Sequence, residues 1–451
     1  MRNFLLLFFS SFYFSTTGIT QDVWTLDSTE VHVETAVDAS LVDGAWDIHW
    51  GPDNKLWFTD LEYIKRYDPA TLLVDTVLFR PGDNGLGIVT HPDLLNGTPY
   101  VFIAFDTAAY YASNDWVDVY RYEFSGGQLI NPLLIFSYSH VGEHAGGRMV
   151  ITADNKLMLT TADYWFGGDP LRGRTLRLNL DGSIPADNPD PTTYEYSSGH
   201  RNPQGLVQIP NGNVYNSEHG QFGVDEINLI RPGRHYGWPA YDGDACSDFV
   251  PDSCSSATYS YESPLLLLTM SPPSGLDFYN HTAIPEFSNS LLVGTLASRA
   301  IDVHTLNTAG DAVTGSLRVF SQGYGRIRDV AVAPDGSVYF IGFDRDPESK
   351  NAIYRIVNPL SVGVSTIENE WAGSRLFPNP AHDQYNLVLH PFSDGVTIAL
   401  THVTGEVISC SAVENGVKQL KFSTAELSHG IYFVQIMVRG RIVETLKLLV
   451  E

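Results

Sequence analysis

His144 stands in the string GEHAGGRMV, where Gly146 and Gly147 carry no side chain and let a ligand approach the backbone. A histidine that is partly neutral near pH 7 is suited to take a proton from a hydroxyl, and a lone histidine is as often a satisfied structural one. The stretch from Gly199 to Trp238 then crowds polar groups between short apolar runs: His200, Arg201 and Asn202, Glu218 and His219, Asp225 and Glu226. Farther on, Arg326 and Arg328 are spaced by two, which places them on one face of a strand. Guanidinium forks recognise carboxylates, and carbonyl and carboxylate oxygens suit a hard cation such as Ca²⁺. Each residue also has an ordinary reading. Arg201 serves as a surface ion pair, Asn202 as a turn former before Pro203, Asp225 and Glu226 as a solvated face, and the two later arginines as ion pairs. Their density beside strands is the argument for a site, because binding and chemistry concentrate on loops held by a rigid scaffold.

One pattern recurs in the elements that would hold these residues. Apolar alternation runs into a Pro/Asp/Asn/Gly turn and out into a second strand in WDIHWGPDNKLWFTD from Trp46, MVITADNKLMLTTAD from Met149, LVQIPNGNVYNSEHG from Leu206 and VAVAPDGSVYFIGFD from Val330. Looser copies run from Ile88 to Phe105 and from Leu276 to Leu296. Asp-Gly and Asn-Gly supply the positive φ of a tight hairpin. A unit of this size cannot bury its own faces, so the repetition predicts an all-β fold, a six-bladed β-propeller over residues 21–358; an open sandwich with similar hairpins is the alternative.

Composition shifts near Asn358. Residues 359–374 read as a linker, and residues 375–451 show the strict alternation of a small C-terminal β-sandwich. At the other end, Arg2, the apolar run from Phe4 to Phe14 and the small residues to Thr20 have the layout of a signal peptide over residues 1–20. No other stretch is long and apolar enough for a transmembrane segment. A formal net charge of -25 on 451 residues argues against nucleic acid as a partner. Cys246 and Cys254 share a loop in which an oxidising compartment would let them close a small bridge, Cys410 has no evident partner, and no thiolate zinc pattern is present.

The strings GHRNPQGL from Gly199, SEHG from Ser217, DEINLI from Asp225 and YGWP from Tyr236 resemble, in order and spacing, the glucose/sorbosone dehydrogenase family, the soluble aldose sugar dehydrogenases that use pyrroloquinoline quinone. The resemblance implies oxidation of an aldose at its anomeric carbon to a lactone, with the quinone as hydride acceptor and an external electron acceptor as partner. It implies His144 as catalytic base, Asp163 as the residue that orients it, and Arg201 as a further catalytic group. Arg201, Asn202, Arg326 and Arg328 match the family's cofactor contacts, and Asp83, in DNGLG, is a further cofactor-binding position by the same resemblance, standing where Gln or Glu is common. The carbonyls of Gly220 and Gln221 would ligate one calcium, and Glu226 with the carbonyl of Tyr236 a second. Gln221 replaces a Pro, and Leu296, Ala297 and Ser298 stand where relatives carry a Leu-Lys-Gly string whose Lys contacts the cofactor. The FPNP string at Phe377, the TGE turn at 404–406, the strand LSHGIYFVQI and the closing Lys447-Leu448-Leu449 resemble the sorting domain of the type IX secretion system of Bacteroidetes, which implies export through the periplasm to the cell surface or medium. A non-catalytic sugar- or protein-binding propeller and a calcium-dependent propeller lactonase are the competing functions.

Overall fold

A computed structural model describes residues 22–450 apart from 108–114, 143, 164–168, 248–253, 255–259, 322, 344–350, 361–373, 390–395, 403–406, 414–416, 426 and 439–440. The expected signal peptide, most of the expected linker and the TGE turn at 404–406 lie outside these residues. The chain divides into two compact units, Met1–Asn358 and Pro359–Glu451.

The four close copies of the repeated string fold alike. In each, a backbone pair of hydrogen bonds closes the turn: Gly51 with Lys55, Thr152 with Lys156, Ile209 with Asn213 and Ala333 with Ser337, with a second bond from the residue before the end of the turn. That penultimate residue has positive φ every time, Asn54 at 57°, Asn155 at 62°, Gly212 at 92° and Gly336 at 78°. Asn and Gly tolerate this region at low cost, which is why those two residue types end the strings.

Each hairpin is the inner pair of a sheet of four or five strands, antiparallel apart from the parallel pair Glu195–Ser198 and Arg234–His235 at the edge of the third, and the two looser copies supply the inner pairs of two more. The first strands of the six sheets are Ala45–Trp50, Asn84–Thr90, Gly146–Ile151, Pro203–Gln208, Pro273–Tyr279 and Arg326–Val332. They neighbour one another in that order, and the sixth returns to the first. The sixth sheet is finished from the other end of the unit, because Glu30–Val37 pairs with Ala352–Val357. The hairpin strands are buried along most of their length, and apolar clusters such as Phe102, Val119, Leu159 and Leu176 fill the space between adjacent sheets. Pro285–Phe287 forms a short helical turn, and among the described residues no helix is long and apolar enough to cross a membrane.

All six first strands carry a bulge near their start, between Ala45 and Ile48, Gly85 and Gly87, Gly146 and Met149, Pro203 and Gly205, Pro273 and Leu276, and Ile327 and Val330. A bulge turns one side chain out of the alternation. Three of the residues so turned meet: Arg148 binds both Asp47 and, at 2.7 Å, Asp329, and donates to the Trp46 carbonyl at 3.0 Å. Asp47 also accepts the Ile88 amide at 2.6 Å and Asp329 the Ile48 amide at 2.9 Å. This buried cluster therefore ties the first, second, third and sixth sheets together. Ser217 donates to the Ser274 carbonyl and Ser274 to the Arg328 carbonyl, which links the fourth, fifth and sixth. The glycines after His144 serve the packing of these strands: a Cβ on Gly87 would lie 2.0 Å from the Gly147 carbonyl oxygen, and one on Gly146 2.5 Å from that of Thr160.

The second unit has one sheet of Arg375–Phe377, Gln384–Val388 and Gln419–Ser423 and another of Val396–His402, Val407–Val413, Gly430–Val438 and Arg441–Val450. Tyr385, Leu387, Ile398, Val434 and Leu448 share one apolar cluster between them. In the first unit Cys246 and Cys254 are disulfide-bonded with a Cα–Cα distance of 5.6 Å, and Cys410 is a free, exposed thiol.

Candidate functional site

The first strands enter the ring at one end, and there they surround a cavity of about 600 Å³. Its wall takes Ala45 and Trp46 from the first sheet, Asn84 and Leu86 from the second, His144 and Gly146 from the third, Asn202 and Gln204 from the fourth, Leu296 from the fifth and Arg326 and Arg328 from the sixth. Thus His144, Asn202, Arg326 and Arg328 of the expected site come together around one space of the size usual for small-molecule pockets.

His144 Nδ1 lies 3.3 Å from the main-chain carbonyl of Asp163. Donation there leaves Nε2 as the lone-pair nitrogen, the tautomer a base requires. Burial, and after it the nearby Arg201 guanidinium, push the imidazole down to about 4, so it is neutral at pH 7. Asp163 itself is held by its amide on the Arg201 carbonyl, at 2.7 Å, and it lines a separate polar cavity of about 380 Å³ with Asp169, Arg172, His200, His235 and Trp238.

Two cationic groups differ in their surroundings. Arg328 is stacked between aromatic rings, 4.1 Å from Trp46 and 4.4 Å from Phe343. Arg326, among the described residues, has no hydrogen bond or ion pair, although it faces a cavity in a chain of net charge -25. An anionic ligand would meet an uncompensated guanidinium there, which fits a cofactor bearing carboxylates. Asn202 donates to Nδ1 of His219 at 3.4 Å and accepts from Gln204 at 2.8 Å, while His219 Nε2 is 2.6 Å from the Pro273 carbonyl. Burial first, offset in part by that carbonyl, holds His219 at about 4.

The remaining expected residues stand outside the cavity wall. Arg201 donates to the carbonyls of Gly220 at 2.8 Å and His219 at 3.1 Å, with its guanidinium 5.4 Å from the Trp238 ring. The Gly220 oxygen that the family resemblance gives to calcium therefore already accepts a charged donor. The Gln221 amide donates to Asp242 at 2.8 Å. Asp83 is paired with Arg80, whose charge offsets it, and its neighbour Asn84 is the residue that faces the cavity.

Around Glu226 the balance is the reverse. Glu218, Asp225 and Glu226 are all buried, and burial together with the Glu218 and Asp242 charges pushes Glu226 up to about 8. Asp225 and Asp242 are each pushed up to about 6, mainly by burial. Among the described residues, buried Asp225 Oδ2, Asn216 Oδ1 and Asn228 Oδ1 have no hydrogen-bond partner. Such excess of acceptor oxygens suits a hard cation. No three His, Cys, Asp or Glu side chains among the described residues converge on one point, so main-chain oxygens such as that of Tyr236 would have to complete the ligand set.

Asp106, Asp115, Gln204, Trp46 and Phe343 also face the cavity and were not among the residues expected from the sequence, while His219, part of the polar cluster noted there without a role, faces it too. Asp106 had a signal: it closes its hairpin just as Asp60 and Asp163 close theirs.

Comparison with known proteins bears on these features. Residues 42–353 match the model of a family described as glucose / sorbosone dehydrogenase, and residues 375–451 match a secretion system C-terminal sorting domain. The chain is 37% identical over 238 residues to quinoprotein glucose dehydrogenase B of Acinetobacter calcoaceticus, covering 43% of this chain and 50% of that one. It is 35% identical over 218 residues to an aldose sugar dehydrogenase of Escherichia coli, covering 44% and 57%. In each case the matched stretch spans only about half of the relative's own length. Among solved structures, the apo form of the soluble aldose sugar dehydrogenase of Escherichia coli superposes with a TM-score of 0.62 at 25% identity, over 73% of this chain and 99% of that one.

Proposed function

Because the chain belongs to the glucose/sorbosone dehydrogenase family, we propose that it is an exported quinoprotein that oxidises aldoses at the anomeric carbon to lactones, with pyrroloquinoline quinone as cofactor and an external electron acceptor. The observation that carries this reading is the neutral His144 in the wall of a cavity that also presents Arg326 and Arg328. In that reading the six sheets are the blades of a closed propeller over residues 21–358, residues 359–374 are the linker and residues 375–451 a β-sandwich for sorting. The tail match marks the chain for the secretion machinery and for export to the cell surface or medium. The signal peptide over residues 1–20 belongs to the same proposal.

The quinone would supply a hydride acceptor. Arg326, Arg328 and Asn202 would hold it, with calcium near Gly220 and Gln221 only if the Arg201 guanidinium yields the Gly220 oxygen, and a second calcium held by Glu226 and the Tyr236 carbonyl. His144 Nε2 takes the anomeric hydroxyl proton, and the Asp163 carbonyl stabilises the imidazolium through Nδ1–H. Arg201, next to His144, disfavours that charge and so keeps the base free before reaction.

The test is to add the quinone and Ca²⁺ to purified protein, follow quinone binding by absorbance and dye reduction with a panel of aldoses. Binding with turnover supports the dehydrogenase; absence of quinone binding even at high Ca²⁺, in wild type and in Ala297→Lys alike, refutes it in favour of a binding propeller.

A further inference from the structure

The cavity is electrically polarised. Arg326 and Arg328 stand on the side of the sixth sheet, whereas Asp106 and Asp115 stand on the side of the second. In that sheet Asp115 lies opposite His140 on the neighbouring strand, and His140 Nε2 is 3.3 Å from Asp106 Oδ1. Asp115 is only 4% exposed, and among the described residues its Oδ1 has no hydrogen-bond donor. A buried carboxylate oxygen without a donor is costly, and a fold retains one chiefly where a ligand or water completes it. A carboxylate only accepts, so the ligand that suits this wall is rich in hydroxyl or ammonium donors and carries no negative charge of its own. The arginine wall asks for the opposite, and His144 stands just before the first strand of the third sheet, next to the second.

We propose that Asp106 and Asp115 form the hydroxyl-binding wall of the sugar subsite and select neutral and amino aldoses over uronic acids. The assignment rests on the reading of the cavity as a sugar dehydrogenase site and adds a substrate class to it. An anionic cofactor is drawn to the arginines and a neutral polyol to the aspartates, so charge alone gives the two ligands separate places. A uronic acid would bring its carboxylate toward one or both aspartates, and part of the preference is then repulsion rather than attraction.

Glucose, glucosamine and glucuronate bound to the full chain, with and without the quinone and Ca²⁺, test the wall by calorimetry. Salt of about 0.2 M keeps the Debye length below about 8 Å, so the overall charge contributes little. Wild type should bind glucose and glucosamine at least about tenfold more tightly than glucuronate. Asp106→Asn, at the less buried position, and Asp115→Asn should each weaken glucosamine most and narrow the glucose-to-glucuronate ratio severalfold. Equal binding of glucose and glucuronate by wild type, a ratio unchanged in a folded Asp106→Asn protein, or no sugar binding at all overturns the proposal. Dye reduction separates the two readings. Turnover with an unchanged ratio removes the wall alone, while sugar discrimination without quinone binding or turnover removes the dehydrogenase and leaves the wall standing.

Discussion

Replacing Arg148 with Met removes the cation from the cluster that joins four of the sheets. The side chain is 3% exposed, and Asp47 and Asp329 beside it are 7% and 3% exposed, so little water reaches the two carboxylates left behind. Breaking a buried pair from one side costs about 3–5 kcal/mol. The loss should depend on pH in a definite direction. Burial already holds Asp47 well above the ordinary carboxylate value, with the Arg148 charge opposing and the Asp329 charge adding. An acid whose folded pKa is raised stabilises the fold relative to its unfolded state below the unfolded value of about 3.9, and loses that contribution as pH rises through the folded value. Without Arg148 the folded value of Asp47 rises further, so the variant's deficit should shrink on acidification. Of the other titratable neighbours, buried His49 is down at about 4 and stays neutral, while Asp277, pushed up to about 7 mainly by burial, titrates within this range in both proteins and cancels from the difference. Urea unfolding at pH 8 and pH 5, followed by tryptophan fluorescence, reads chiefly the first unit, which holds every Trp of the chain except Trp371. We expect a deficit of about 3–5 kcal/mol at pH 8 and one at least about 1 kcal/mol smaller at pH 5. A deficit below about 1 kcal/mol at pH 8, or one that grows toward pH 5, refutes the assignment of this cluster as a charged clasp.

Other outcomes follow from the site. His144→Ala should lower kcat by about 10²- to 10⁴-fold with quinone affinity nearly unchanged. In wild type, the base limb of kcat/KM should lie near pH 4, where His144 is held, with a plateau through pH 7; a limb at the usual histidine value would show that burial does not control the group. Arg326→Met should weaken quinone binding, measured by absorbance titration, and spare kcat at saturating cofactor. A chain ending at Ser374 should keep its turnover and thermal midpoint but fail to reach the medium, as secretion and activity assays on the two fractions would show.

The all-β character was legible because Asn54, Asn155, Gly212 and Gly336 announce their turns in the letters themselves. His144, Asn202, Arg326 and Arg328 were legible because each sits at the cavity end of a recognisable hairpin. The clasp was not. Asp47, Arg148 and Asp329 read as members of alternating strands, and only the bulges, which no local pattern encodes, turn them toward one another. Asp106 and Asp115 were hidden for another reason: their sheet holds one of the looser copies, and the cross-strand pairing of Asp115 with His140 depends on register. The partner of Asp83 was not read either: Arg80, three residues back, pairs with it and offsets its charge.

The pairing of Glu30–Val37 with Ala352–Val357 sets an order of events for the chain as it is made. Arg355 reaches Glu34 across 321 positions of sequence, and Tyr324 reaches Asp22 across 302. Five sheets consist of strands that emerge close together and can form as local hairpins, whereas the sixth lacks an outer strand until its far end meets a segment released at the beginning. The ends of the first strand and the last must find each other at a loop-closure cost that rises only logarithmically with length but is repaid late. Until then the unit is an open arc with an unpaired edge, the form most exposed to pairing with another chain and to proteases. Loss of the strand Glu30–Val37 would thus be felt at residue 355, and circular permutation that joins these two strands in sequence should speed the final step of folding without altering the closed ring.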